Sequence, residues 1–229
     1  MRCEYTRAGS CLTKRPVIRR LREHLLENRL TATLIHRRKP PAPRRAGVSD
    51  RLRAMRVLGI DCGTEVTGWG VVESDMAART PLLVCRGYGA VKLAKQKTLA
   101  ERLMQVFDEL SAQMRHHQPD VVAVEEVFYS VNAKSALKLG QMRGVALLAA
   151  GVVGLPVAEY APLSIKSAVV GYGLAGKEQV QFMVARLLDL DKPPEPADAA
   201  DALAIAICHL HTAETLEQQR PQPPRKTTR

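Results

Sequence analysis

The stretch Met55-Arg-Val-Leu-Gly-Ile-Asp61 opens the first clearly patterned part of the chain and leads directly into the turn Cys62-Gly-Thr-Glu65. A short apolar run that ends at a turn, as Val57 to Asp61 does, is typical of a buried β-strand. Two further runs, Val66 to Glu73 and Leu82 to Val91, have the same character. The folded region therefore begins with three predicted strands, which indicates an antiparallel start to a sheet.

Helical and extended patterns alternate downstream of these strands. Apolar residues at helical spacing predict a helix from about Thr98 to His117, and two more buried strands are predicted at Val121 to Glu125 and Pro156 to Tyr160. Further helices are predicted at Asn132 to Val153, Pro162 to Val169, Lys177 to Leu188 and Ala197 to His209. This order predicts an α/β fold with a mixed five-stranded sheet and helices on both faces.

Basic residues are concentrated in the first 54 residues. This segment holds 15 Lys and Arg against 4 Asp and Glu, so it accounts for the whole formal charge of +11. It also contains the breaker-rich run Lys39-Pro-Pro-Ala-Pro43. Three interpretations stay open: a start codon assigned too far upstream, with Met55 as the true start, a disordered basic arm, or an Arg-rich targeting peptide.

The chain from Met55 onward is electrically neutral, with 19 basic and 19 acidic residues. Its net charge is therefore no argument for nucleic-acid binding. Five scattered cysteines without a C-x-x-C pair favour a reducing cytoplasm, and no uncharged apolar run is long enough to cross a bilayer. We expect a basic extension at 1–54, one globular domain at 55–211 and a disordered tail at 212–229.

Four acidic residues lie inside or at the edge of strongly apolar stretches. Asp61 ends the first strand, Glu125 ends the fourth, and Asp198 and Asp201 belong to an alanine-rich helix. The first and fourth strands can be neighbours in a mixed sheet, and residues three apart share one face of a helix. Since an unpartnered buried carboxylate is costly, we expect the four acids to converge on one site.

A cluster of carboxylates is typical of a site for hard divalent cations, because oxygen ligands select Mg²⁺ or Mn²⁺. Two such ions about 4 Å apart can activate a water and stabilise the leaving oxygen in phosphodiester hydrolysis. The sequence therefore predicts a two-metal nuclease site. The alternative interpretation, strand-end caps and a helix N-cap pair, explains each acid singly but not all four in this order.

Four blocks of sequence stand in unbroken order between Met55 and His211: Met55 to Gly70, Val124 to Phe128, Ser135 to Gly144 and Ala197 to Ile205. These blocks resemble RuvC, a bacterial family of Holliday-junction endonucleases. The resemblance implies a ribonuclease-H-like fold and a cytoplasmic, Mg²⁺-dependent homodimer with two ions per subunit, for which Mn²⁺ can substitute. It further implies symmetric nicking of four-way junction DNA in recombination and repair, with RuvA and RuvB as partners and no membrane association.

The resemblance also implies roles for individual residues. The catalytic and metal-binding acids of the family fall on Asp61, Glu125, Asp198 and Asp201. Two basic residues fall on Lys166 and Lys177, where they would bind the DNA backbone, and Phe128 matches an aromatic residue that meets the junction near its crossover. Stacking on an unpaired base is worth about 1 to 3 kcal/mol. The alternative role for Phe128 is a hydrophobic residue that closes a strand.

Other functions remain as alternatives. The turn Asp61-Cys-Gly-Thr64 also resembles the phosphate loop of actin-like ATPases and sugar kinases, but those proteins need a second domain and a second glycine-rich loop. Another ribonuclease-H-like resolvase, or an RNA-processing nuclease, is a second alternative. A junction-binding module that no longer cleaves is a further alternative, although the presence of all four acids argues against it.

Overall fold

The computed structural model describes residues 54–74, 82–126 and 133–219. Most of the predicted basic extension and the end of the predicted tail lie outside these ranges. The elements in the described part, in chain order, are β1 (Met55–Asp61), β2 (Val66–Ser74), β3 (Leu83–Lys92), α1 (Leu99–His117), β4 (Val121–Glu125), α2 (Ala133–Val153), β5 (Val157–Tyr160), α3 (Pro162–Val170), α4 (Lys177–Leu187) and α5 (Ala197–Gln218).

The five strands form one sheet in the order β3-β2-β1-β4-β5. Strand β1 lies in the centre, antiparallel to β2 and parallel to β4, and β5 continues the parallel half of the sheet. Each predicted strand is present, and its ends lie within two residues of the predicted ones. The predicted mixed five-stranded sheet is therefore confirmed.

Helices cover both faces of this sheet. Neighbouring residues of a strand point to opposite sides, so each strand can pack against the helices on both faces. Val57 of β1 packs with apolar residues of α3, α4 and α5. Leu58, the next residue, packs with apolar residues of α1 and α2. Two apolar cores thus enclose β1 and β4, which confirms the prediction of helices on both faces.

The last helix is longer than the sequence pattern predicts. We expected it to end near His209 and a disordered tail to begin at residue 212, but α5 continues to Gln218. The hydroxyl of Thr212 donates to the carbonyl oxygen of Cys208, one turn earlier, at 2.8 Å. The helix continues because the chain has no glycine or proline between Thr212 and Pro221.

Helix α2 is long and apolar enough between Ser135 and Val153 to cross a bilayer, judged by length and composition alone. Lys138 and Arg143 interrupt this stretch, so the expectation that no uncharged run reaches such a length still holds. The helix packs buried residues such as Met142 into the core that it shares with α1. Its predicted cap, Asn132, lies outside the described residues.

Candidate metal centre

Strands β1 and β4 bring Asp61 and Glu125 to the same edge of the sheet. The parallel register pairs Ile60 with Val124, and each acid is the next residue along its own strand. Parallel neighbours run in the same direction, so their carboxyl ends meet at one edge. The two carboxylates are close enough for the charge of Glu125 to raise the pKa of Asp61.

Helix α5 lies so close to β1 and β2 that the strands need glycine beneath it. A Cβ atom on Gly68 would lie 2.0 Å from the carbonyl oxygen of Asp198, and one on Gly59 would lie 2.0 Å from that of Ala202. Both distances are far shorter than a normal non-bonded contact. This close packing places the first two turns of α5, with Asp198 and Asp201, beside the end of β1.

A pocket of about 220 Å³ is lined by three of these acids. Its charged lining consists of three carboxylates and two ammonium groups, from Asp61, Glu125, Asp201, Lys166 and Lys177. Its apolar lining comes from α3, α4 and α5, through Pro162, Ile165, Val180, Ala204 and Ile205. Asp198 is not among the lining residues, but its charge also raises the pKa of Asp61. The structure therefore gathers the four acids and both lysines around one place.

Lys177 is the first residue of α4 and reaches across the pocket to α5. Its Nζ atom lies 2.7 Å from a carboxylate oxygen of Asp201. The start of α4 is held by Gln179, whose Oε1 atom accepts from the backbone N–H of Gly176 at 2.9 Å and from the hydroxyl of Tyr172 at 2.8 Å. These contacts hold the backbone that carries Lys177 beside the acidic cluster.

In the absence of a cation, burial and mutual repulsion disfavour the ionised form of the carboxylates. Burial, followed by the charges of Asp201, Glu125 and Asp198, raises the pKa of Asp61 to about 7, although Lys177 acts in the opposite direction. Burial also raises the pKa of Glu125, as does the charge of Asp201. The hydrogen bond to Asp201 raises the pKa of Lys177. The two lysines therefore compensate the acids only in part.

The donor set fits a hard divalent cation, because all of the candidate ligands are carboxylate oxygens. Four carboxylates against two lysines also leave an excess of negative charge. Within residues 54–74, 82–126 and 133–219, no three Asp, Glu, His or Cys side chains are gathered closely enough to hold one ion. Donor chemistry and charge, rather than coordination geometry, make this pocket a candidate metal centre.

Comparison with known proteins identifies the family. The family model described as crossover junction endodeoxyribonuclease RuvC matches residues 57–209 of the chain, which include every residue that lines the pocket. The chain belongs to the RuvC family. This match confirms the resemblance seen in the sequence blocks, and the family consists of metal-dependent nucleases.

Individual RuvC proteins are similar over nearly their whole length. The crossover junction endodeoxyribonuclease RuvC of Acidobacterium capsulatum is 66% identical over 169 residues, which are 72% of this chain and 99% of the relative. The protein of the same name from Koribacter versatilis is 63% identical over 162 residues, which are 71% and 96% of the two chains. Both relatives therefore correspond to the RuvC domain, and the first part of this chain extends beyond the similarity.

A solved structure of Thermus thermophilus RuvC in complex with a Holliday junction substrate shares this architecture. Its TM-score is 0.64 at 34% identity, and the match covers 70% of this chain and 96% of that one. The mixed sheet with its flanking helices is thus the ribonuclease-H-like fold of the RuvC family. The family match also excludes the alternative interpretation of Asp61-Cys-Gly-Thr64 as an actin-like phosphate loop.

Two residues complete the comparison with the sequence-based site. Phe128, the predicted DNA-contacting aromatic residue, lies outside the described residues. Arg143 of α2 was not predicted to have a role, although its guanidinium contacts the backbone of Glu125. The available signal in the sequence was a cation within an apolar predicted helix, but sequence alone does not show which group such a cation reaches.

Asp61 gives the RuvC fold a pH-dependent stability in the absence of metal. Its pKa is about 7 in the folded state against an ordinary value of 3.8, so the folded protein binds the proton more tightly than the unfolded chain. This stabilisation is complete below pH 3.8 and is lost as the pH rises to about 7. Each unit of pKa difference corresponds to about 1.4 kcal/mol.

Urea unfolding in EDTA measures this effect as the difference in unfolding free energy between the wild-type protein and Asp61→Asn. We expect Asp61→Asn to gain stability relative to the wild type as the pH rises from 4 to 7, because the amide has no proton to lose. A difference that stays constant across this range would show that Asp61 is not held in its protonated form.

Proposed function

We propose that this chain resolves Holliday junctions by metal-dependent phosphodiester hydrolysis and nicks two opposing strands at symmetric positions. The observation that carries this function is the pocket in which Asp61, Glu125 and Asp201 face Lys166 and Lys177 in a chain of the RuvC family. The Thermus thermophilus RuvC structure holds a Holliday junction substrate, and the same substrate class is assigned here to this chain.

Within this proposal, Asp61, Glu125, Asp198 and Asp201 hold two Mg²⁺ ions per subunit, and Mn²⁺ can substitute. Bound Mg²⁺ would supply Lewis-acid activation of the attacking water and neutralise charge on the leaving oxygen. The ionised carboxylates supply the negative charge that the cations need, and cation binding would in turn lower the raised pKa of Asp61. Metal binding and deprotonation of the site are therefore linked.

Lys166 and Lys177 are proposed to bind the phosphate backbone next to the scissile bond. Both ammonium groups line the pocket, and the side chain of Lys177 is 59% exposed, so it can reach a ligand from solvent. Phe128 is proposed to stack on an unpaired base at the crossover, three residues beyond Glu125.

The homodimer is proposed to form through α2. This helix exposes the apolar side chains of Leu137, Leu148 and Val152, which are 70%, 58% and 51% accessible. Several exposed apolar side chains on one long helix are typical of a protein interface. A second copy would cover it and present one pocket to each of two opposing strands. A monomeric mass at micromolar concentration would contradict this assembly.

The family also supports RuvA and RuvB as partners and the cytoplasm as the location of this chain. Both are proposals from the resemblance. The interaction is testable by pull-down of the purified chain with purified RuvA or RuvB on junction DNA, against the same proteins on linear duplex.

The deciding experiment compares a synthetic four-way junction with a linear duplex of the same sequence, each with Mg²⁺ and with EDTA. We expect paired, symmetric nicks in the junction with Mg²⁺ and no cleavage of either substrate in EDTA. Equal cleavage of junction and duplex would favour a generic ribonuclease-H-like nuclease. Junction binding without cleavage in Mg²⁺ would favour the non-catalytic module.

Removal of residues 1–54 is expected to leave Mg²⁺-dependent junction cleavage intact, because the RuvC match begins at residue 57 and the site lies wholly beyond it. The measurement compares the full chain and the truncated chain at equal concentration and at two salt concentrations. Nonspecific affinity for duplex DNA should fall on truncation, since 15 basic residues are lost. A large loss of cleavage rate would show that the basic segment belongs to the working enzyme.

A further inference from the structure

Arg143 connects helix α2 to the strand end that carries Glu125. Its Nε atom donates to the backbone carbonyl oxygen of Glu125 at 3.2 Å. A terminal nitrogen of the same guanidinium forms an ion pair with the carboxylate of Glu159 in β5. The Arg143 side chain is only 17% exposed, whereas its partner Glu159 is 46% exposed, so the contact with the Glu125 carbonyl is the more sheltered of the two.

The carbonyl oxygen of Glu125 belongs to the last residue of β4. A hydrogen bond to this oxygen therefore helps to fix the backbone at the end of the strand. On the other side, the N–H of Glu126 donates to the carbonyl oxygen of Tyr160 at 2.9 Å. The backbone at the end of β4 is therefore held by its pairing with the neighbouring strands and by the guanidinium of Arg143. The direction of the Glu125 side chain depends on both.

Arginine suits this position, because a planar guanidinium can address two acceptors in fixed directions at once. The apolar packing of α2 against α1 is supplied by other residues, namely Met142, Ala146, Ala149 and Ala150. Loss of the guanidinium therefore removes a link to β4 without removing the apolar contacts that dock the helix.

We propose that Arg143 is a positioning residue, which fixes the end of β4 through the Glu125 carbonyl and so directs the Glu125 carboxylate into the pocket. The proposal rests on the function proposed above for Glu125, and it makes α2 the support of one metal-binding acid as well as the carrier of the exposed apolar surface. Side chains that orient a ligand in this way commonly change metal affinity or activity about 10- to 100-fold when they are lost.

The test compares Arg143→Gln and Arg143→Lys with a matched control, Lys138→Gln, which removes the exposed cation on the same helix. Hydrogen exchange of the full chain without metal is measured for the peptide that contains Glu126. We expect Arg143→Gln to lose protection at this peptide, Arg143→Lys to regain part of it through a single contact, and Lys138→Gln to match the wild type. Unchanged protection in Arg143→Gln would overturn the proposal.

Cleavage kinetics on a four-way junction supply the second readout. We expect Arg143→Gln to need about 10- to 100-fold more Mg²⁺ for half-maximal cleavage, with a lower kcat and a nearly unchanged KM for the junction. An equal Mg²⁺ requirement, or a change confined to KM, would contradict a positioning role.

The two measurements distinguish failure of the proposed function from failure of the positioning role. If the wild-type chain fails to cleave junctions, the proposed function is wrong, while the exchange measurement still decides whether Arg143 holds the end of β4. If Arg143→Gln does not fold, Glu159→Gln replaces it, because this change weakens the second anchor of the guanidinium and leaves the helix intact. Glu159→Gln should then lose protection at the same peptide, and wild-type protection would overturn the proposal.

Discussion

Asp61→Asn is expected to lower the rate of junction cleavage on the order of 10³-fold or more at saturating Mg²⁺. Asp61 is the only one of the four acids at the centre of the sheet, at the end of β1, and the other three all act on its pKa. The amide keeps the shape of the side chain but removes the negative charge that a cation requires. Single-turnover cleavage of a labelled four-way junction measures the rate.

Binding separates this effect from loss of the fold. At a pH above 7, where the Asp61 carboxylate is ionised, Asp61→Asn should bind the junction in EDTA at least as tightly as the wild type, because it removes a negative charge beside the lysines that line the pocket. Asp108→Asn, a change at an exposed carboxylate of α1, should cleave at the wild-type rate. Asp198→Asn should likewise bind and fail to cleave. Retained cleavage in either Asp61→Asn or Asp198→Asn would exclude the two-metal assignment.

Gly59→Ala is expected to destabilise the protein by about 3 kcal/mol or more, which is the upper end of the range for overpacked cores. The added methyl group would lie 2.0 Å from the carbonyl oxygen of Ala202 and 2.8 Å from the backbone nitrogen of Ala206. Both neighbours are backbone atoms of α5, so the whole helix must move. Thermal unfolding should show a decrease of about 6 to 12 °C.

The displacement of α5 should also affect cleavage, because this helix carries Asp198 and Asp201. We expect Gly59→Ala to need more Mg²⁺ even at temperatures at which it remains folded. Gly151→Ala is the matched control for stability, since its added Cβ meets no atom within 4 Å and alanine favours a helix by about 1 kcal/mol over glycine. Equal unfolding temperatures for the two variants would show that the contact beneath α5 is not tight.

Much of the fold could be predicted because its strands are short, strongly apolar and separated by turns. The run before Asp61 and the run before Glu125 predict two buried strands, and parallel neighbours have only one edge at which both acids can meet. The three-residue spacing of Asp198 and Asp201 likewise places them on one helix face. These are local patterns, and the structure follows them.

Contacts between distant parts of the chain could not be predicted in the same way. The sequence does not show that Lys177 pairs with Asp201, because lysine and aspartate side chains are also common on surfaces exposed to solvent. It gives no sign that Arg143 reaches the Glu125 carbonyl across 18 positions. The end of α5 was misjudged for a local reason, since polar residues after His211 resemble a tail until their helix propensity is considered.

The depth of α5 has a consequence for how the site can move. Residues 199, 200 and 202 to 208 of this helix are all buried, so its displacement requires disruption of the largest part of the core. Local opening fluctuations are drawn from regions with few buried contacts, and α5 is not such a region. Asp201 therefore lies on a fixed wall of the pocket, with Asp198 on the same helix, and we expect adaptation to a bound strand to come from the side chains of Lys166 in α3 and Lys177 in α4.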